Sequence, residues 1–308
     1  MQRVFVFPGQ NSQSVGMMAE LAAEDRAVID TFAEVSESLG EDLWALVCNG
    51  PAERLNETIR TQPVMLAAGV ATWRCWRNAG GAAPDAVSGH SLGEFSALVA
   101  SGALELTEAA RLVKSRSQVM QDAVPAGVGA IAAVLGLDDQ IVAEVCREAA
   151  QGEVVEAVNF NSPGQVVIAG HGDAVDRALA ACKSRGAKRA LRLSMSVPAH
   201  SSLMQPAATR FAELLDGACI LDPKIAFWSP VDCAHHASAE DVRALLKKQL
   251  ASPVRWSGLI RALVEAGATQ FIECGPGKVL TGLNRRIEKR PDISCLALQD
   301  PQSLRAAL

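Results

Sequence analysis

A serine between two glycines, set where a strand turns into a helix, is placed to act as a nucleophile. The chain has one at Ser88-Gly89-His90-Ser91-Leu92-Gly93-Glu94. Gly89 and Gly93 remove side-chain bulk, so Ser91 can sit on a strained turn with its hydroxyl projected. The helix that follows would aim unpaired N–H groups, and the positive end of its dipole, at charge developing beside Ser91. The competing structural reading is an ordinary glycine-rich turn. The short strand expected at Ala83–Val87, bounded by Gly80-Gly81, and the helical pattern from Glu94 argue for the elbow.

A serine hydroxyl needs a base. His90 adjoins Ser91 and is awkwardly placed for a direct bond. His171 belongs to a hairpin end. His235 and His236 fall in a polar stretch, read as exposed loop. His200, in Val197-Pro198-Ala199-His200, is the best candidate; the plainer alternative is a histidine buried where two parts of the chain meet. An imidazole base needs an acceptor on its other nitrogen. No aspartate offers itself, but Gln249 ends a helix whose last carbonyls lack helical partners, and one of these could accept the N–H.

In the helical stretch 107–124, Leu112, Val113, Arg116, Val119 and Met120 share one face. An arginine in an apolar stripe either snorkels to water from its edge or holds its fork over a pocket to grip a carboxylate. Met120, one turn on, is the apolar candidate for the same pocket. Gln10 follows a buried strand and Pro8-Gly9, in a loop at the end of that strand. Its backbone N–H could join that of Leu92 in receiving an oxyanion, although a plain loop glutamine is the simpler reading.

These residues need a frame. The 308 residues are 49% hydrophobic and 20% charged, with net charge −5. That suits one large or two smaller globular domains and disfavours nucleic acid as a partner. The eight cysteines are scattered without a C-x-x-C pair, so neither a metal site nor a disulfide framework is expected, and reduced thiols in cytoplasm are. No stretch has the length of a membrane span. Val4–Phe7 reads as a buried parallel strand; helices are expected at 15–23, 27–39, 64–78 and 107–124. From 126 to 196 the order is strand, helix, strand, strand, helix, strand, a ferredoxin-like pattern. Asp138 should cap its first helix, and 188–195 should be its last strand, with Leu191, Leu193 and Met195 on one face. The expected division is 1–125 with 197–308 as a large α/β part and 126–196 as a small inserted one. In the large part Ser238–Asp241 reads as a capping box, and 271–274 and 294–298 as strands.

Several ordered segments resemble the malonyl-CoA:acyl carrier protein transacylase family of bacterial fatty-acid synthesis. They are Phe7–Gln13, Thr61-Gln62-Pro63, Gly89–Glu94, Val158–Gln165, Val197–His200 and Gly275–Leu280. The resemblance implies an α/β-hydrolase-like core with a ferredoxin-like insert. It implies Ser91 as nucleophile, His200 as base, Arg116 on a malonyl carboxylate, and the N–H groups of Gln10 and Leu92 as oxyanion hole. It also implies the backbone carbonyl of Gln249 on His200, malonyl-CoA as donor and acyl carrier protein as partner. No cofactor, metal, nucleic acid or membrane is expected, and a monomer is the working expectation. Asn11 stands where the family has glycine; asparagine tolerates positive φ. Ala199 replaces a serine, and Ser229-Pro230-Val231 departs from an asparagine-containing segment. The basic clusters Lys183/Arg185/Lys188/Arg189/Arg192 and Arg285/Arg286/Lys289/Arg290 are rival docks for an acidic carrier. Alternatives are a polyketide carrier, a serine thioesterase, and a non-catalytic carrier-binding protein.

Overall fold

The computed structural model describes residues 2–125, 127–193, 195 and 197–308. The strands run β1 (Arg3–Phe7), β2 (Ala86–Gly89), β3 (Gly129–Leu135), β4 (Val155–Ser162), β5 (Gln165–His171), β6 (Arg189–Arg192), β7 (Ala226–Ser229), β8 (Ala234–His236), β9 (Gln270–Glu273) and β10 (Ser294–Ala297).

Among the described residues, six of them form one sheet in the order β10-β9-β1-β2-β7-β8. All pairs are parallel except β7–β8. β1 lies at its centre, and its side chains alternate between two cores. Phe5 and Phe7 pack with Phe95, Val64 and Trp76 on one face, while Val4 and Val6 pack with Trp256, Leu259 and Ile260 on the other. A strand covered on both faces must be apolar at every position, which is why Val4–Phe7 carries no polar residue. The parallel register pairs Phe7 with Gly89, so the loops leaving β1 and β2 emerge side by side. His90 N–H donates to the Phe7 carbonyl at 2.9 Å, and a Cβ on Gly9 would stand 2.5 Å from the His90 carbonyl oxygen.

The other four strands form an antiparallel sheet in the order β4-β5-β3-β6. With helices Asp139–Ala150 and Gly172–Ser184 between strands, this is the ferredoxin-like arrangement expected from the sequence. Both helices cover one face. The opposite face carries Ile131, Val158, Val167 and Ala169, with Leu193 and Met195 packed on them, and turns toward the large sheet.

Several local expectations are corrected. The first helix is Ala19–Glu24 rather than 15–23, because residues 15–18 form turns and Met18 has φ 67°. The helix expected from Val64 starts at Thr58 and carries Pro63 in its second turn, where the helix forgoes the N–H bond to the Ile59 carbonyl. Asp138 stands at a helix N-cap, but its side chain makes no capping bond. Ser238 does accept from Asp241 N–H, yet its hydroxyl donates to the Asp241 carboxylate, so that carboxylate does not close the box on the Ser238 N–H. Leu191 is 44% exposed, because β6 is an edge strand and its neighbours Arg189 and Arg192 also face solvent. The last strand expected over 188–195 includes Ser194, outside the described residues, as are the insert's two terminal residues, Ala126 and Ser196. His235 and His236 lie in β8, hairpinned onto β7, rather than in a loop.

Candidate active site

β2 ends at Gly89 and the helix Gly93–Ala100 begins four residues later, leaving His90-Ser91-Leu92 to make the turn. Ser91 has φ 53°, in the left-handed region that non-glycine residues rarely occupy. The turn needs both its glycines. A Cβ on Gly89 would lie 1.9 Å from the Gly93 carbonyl carbon, and one on Gly93 would lie 2.0 Å from the Phe7 carbonyl oxygen.

His200 arrives from a segment remote in sequence and is buried, with φ 68°. Its Nε2 stands 2.7 Å from Ser91 Oγ. Its Nδ1 stands 3.0 Å from the Gln249 carbonyl and 3.1 Å from that of Ser252. Two carbonyls can be satisfied only by an N–H at Nδ1, so the neutral ring presents the Nε2 lone pair to the serine hydroxyl. Burial, and next the charge of Arg116, hold the imidazole down at about 3, so it is neutral at physiological pH. His90 bonds Asn161 Oδ1 through Nε2 at 2.9 Å instead of Ser91.

Arg116, on the helix Leu106–Asp122, is 1% exposed. It does not snorkel. Nη2 donates to Ser91 Oγ at 3.1 Å, Nη1 to Gln62 Oε1 at 2.8 Å and Nε to Gln249 Oε1 at 3.1 Å. Burial lowers its pKa to about 10, which leaves it cationic. Among the described residues no carboxylate is paired with it directly. Glu94, fully buried, bonds instead to Ser229 Oγ at 2.5 Å and to the Gln249 amide, and burial raises its pKa to about 7.

A cleft of about 360 Å³ opens over Ser91 and His200 between the two sheets. Gln10, Asn11 and Met120 line it from the large part; Ile131, Val167, Asn159, Leu193 and Met195 line it from the small part. The Asn159 amide oxygen is buried with no partner among the described residues. Asn11 has φ 77°, a left-handed conformation that asparagine tolerates better than most residues. The backbone N–H groups of Gln10 and Leu92 donate to no protein acceptor among the described residues. Leu92 and Arg116 are each 1% exposed, and Arg116 reaches the cleft through its bond to Ser91 Oγ.

The structure thus brings Ser91, His200, Arg116, Gln249, Gln10, Leu92 and Met120 to one place. Sequence reasoning passed over the side chains of Gln62, Glu94, Ser229 and Gln249. A signal existed for two of them: Gln62 opens the apolar run Pro63–Ala68, and Glu94 stands between Leu92-Gly93 and Phe95. Among the described residues, no group of three metal-ligating side chains occurs and no helix is long and apolar enough to cross a membrane.

A model of the acyl transferase domain matches residues 4–297. The chain is 50% identical over 307 residues to a malonyl CoA-acyl carrier protein transacylase of Escherichia coli, covering 100% of this chain and 99% of that one. It is 41% identical to the enzyme of that name from Bacillus subtilis, covering 99% and 95%. A crystal structure of an acyl carrier protein S-malonyltransferase from Vibrio cholerae superposes with TM-score 0.96 at 51% identity over 100% of both chains. A type II polyketide acyl carrier protein in complex with its malonyl-transacylase gives TM-score 0.97 at 50% identity, over 100% of this chain and 99% of that one.

Proposed function

The chain belongs to the acyl transferase family, among its malonyl-CoA:acyl carrier protein transacylases, and from that premise we propose how its residues carry out the transfer. The reaction moves a malonyl group from malonyl-CoA to the phosphopantetheine thiol of acyl carrier protein. Ser91 Oγ passes its proton to His200 Nε2 and attacks the thioester carbonyl. The carbonyl π electrons move to oxygen, which accepts from the N–H groups of Gln10 and Leu92. The oxyanion collapses, the C–S bond breaks, and the departing sulfur takes the proton from His200. A malonyl ester remains on Ser91. The carrier thiol then gives its proton to His200 and attacks that ester; Ser91 Oγ leaves and recovers the proton.

Arg116 supplies selectivity. The malonyl carboxyl carbon lies two bonds beyond the acyl carbonyl carbon, and Arg116 is already one hydrogen bond from Ser91 Oγ. A buried guanidinium without direct carboxylate contact favours an acyl group that brings one. Met120 bounds the acyl space. The observation carrying this reading is the Ser91 hydroxyl itself, between a neutral imidazole at 2.7 Å and a buried guanidinium at 3.1 Å. Intact-mass measurement after mixing with malonyl-CoA tests it. Wild type should gain one malonyl group that acyl carrier protein removes, and Ser91→Ala should gain none. Loss of the group to water before carrier is added would identify a thioesterase instead.

We also place the division of the chain at 126–196, since those residues hold the antiparallel sheet and its two helices. The eight cysteines are all free, which supports a cytoplasmic setting. Every group in the proposed mechanism comes from one chain, which supports action as a monomer. Of the two basic clusters, the one containing Arg286 fits the carrier better. Arg286 donates to Gln165, which lines the cleft; Arg185 and Arg192 are paired with Glu148 and Asp176, and Arg290 of the favoured cluster with Asp292.

A further inference from the structure

We propose that Glu94 is a positioning residue for malonyl selectivity, acting through the side-chain amide of Gln249 to aim Arg116; this rests on the function proposed above. The mechanism so far uses only the backbone carbonyl of Gln249 and nothing of Glu94. Yet both side chains are fully buried beside Ser91.

The logic is one of donors and acceptors. An amide can be placed either way round, with NH₂ and oxygen exchanged. Gln249 meets Arg116 Nε–H on one side, and an Nε–H can only donate. The amide must therefore turn its oxygen to Arg116 and its NH₂ away. On the other side that NH₂ meets two acceptors, a Glu94 carboxylate oxygen and the Ser91 carbonyl at 2.9 Å. The reversed amide would set oxygen against both of these and NH₂ against Nε–H. Glu94 thus fixes the polarity of the amide, and the amide fixes the Nε edge of the guanidinium. With Nε held by Gln249 and Nη1 by Gln62, the remaining edge points toward Ser91. Glu94 is itself held by the Ser229 hydroxyl, at the segment where this chain departs from the family pattern. A direct Glu94–Arg116 pair would occupy the fork that a substrate carboxylate needs. The intervening amide orients the fork and leaves that edge unoccupied by a carboxylate.

Two substitutions separate reach from charge. Glu94→Gln loses the charge but keeps reach: its amide oxygen can accept from Gln249, and its NH₂ can donate to Ser229 Oγ. Glu94→Asp keeps the charge but withdraws the carboxylate by about 1.5 Å. Loading of Ser91 by malonyl-CoA and by acetyl-CoA is measured for each, with thermal melting to establish folding. Glu94→Asp should lose about tenfold or more of the malonyl-over-acetyl preference in kcat/KM, mainly through KM for malonyl-CoA. Glu94→Gln should keep the preference within about threefold, since its hydrogen bonds are retained. The proposal is overturned if Glu94→Gln loses the preference, or if folded Glu94→Asp keeps it. Glu94→Gln decides alone if Glu94→Asp does not fold. A wild type that takes no malonyl group would instead defeat the function itself.

Discussion

The cleft has two walls. The wall from the parallel sheet holds Ser91 and His200 at positive φ, with Arg116, Gln249 and Glu94 buried behind them and bonded to one another. The wall from the antiparallel sheet offers Ile131, Val167, Leu193 and Met195, and one asparagine oxygen without a partner among the described residues. The first wall is strained and its hydrogen bonds interlock, so changing one member displaces the others. The second is apolar surface of suitable shape, where a methylene can be removed at modest cost. Chemistry is concentrated in the wall that tolerates least.

Substitutions can break that contrast. The largest effect should come from Ser91→Ala or His200→Ala, each lowering transfer by roughly 10³-fold or more with the fold intact, measured by carrier malonylation. Next is Gly93→Ala, whose Cβ has no room against the Phe7 carbonyl. Melting should show it destabilised by about 3 kcal/mol or more, or not folded at all. Arg116→Ala should cost malonyl transfer about 2–4 kcal/mol in kcat/KM and spare acetyl transfer; an unchanged preference would remove Arg116 from the acyl site. Across the cleft, Ile131→Val should cost only about 1 kcal/mol of stability and leave kcat alone. A large fall in kcat there would give the second wall a chemical role. The smallest effect belongs to Arg286→Glu, which should slow carrier transfer at low salt and leave malonyl loading unchanged.

Acidity sharpens the same contrast, because two buried groups of the first wall titrate in opposite senses. Glu94 is raised to about 7 from 4.5. Between those values the folded chain holds a proton that the unfolded chain has released, so stability falls as pH rises through that window. His200 is lowered to about 3 from 6.5. Between those values the unfolded chain binds the extra proton, so stability falls as pH drops through that window. The two slopes oppose each other from 4.5 to 6.5. Glu94→Gln removes one of them. Relative to wild type the variant should gain stability as pH rises from 5 to 7, by at most about 1.4 kcal/mol per pH unit, measured by denaturant unfolding. No relative change would mean that Glu94 is not protonated in the fold.

Much of this was legible along the chain because the information is local. Two glycines around Ser91, an unbroken apolar β1 and the order of strands and helices in 126–196 each follow from sterics or periodicity over a few residues. Arg116 within an apolar stripe could be read as a candidate for the same reason. What the sequence could not decide was which way that arginine faced, or what lay between it and Glu94. Those answers depend on Gln62, Ser229 and Gln249, residues far apart in sequence and brought together by packing. His90 was the nearer histidine to Ser91 in sequence, and His200 is the nearer in space. A peptide turn cannot fold one side chain back onto its neighbour's hydroxyl, whereas a second segment crossing the end of the sheet can present its imidazole directly.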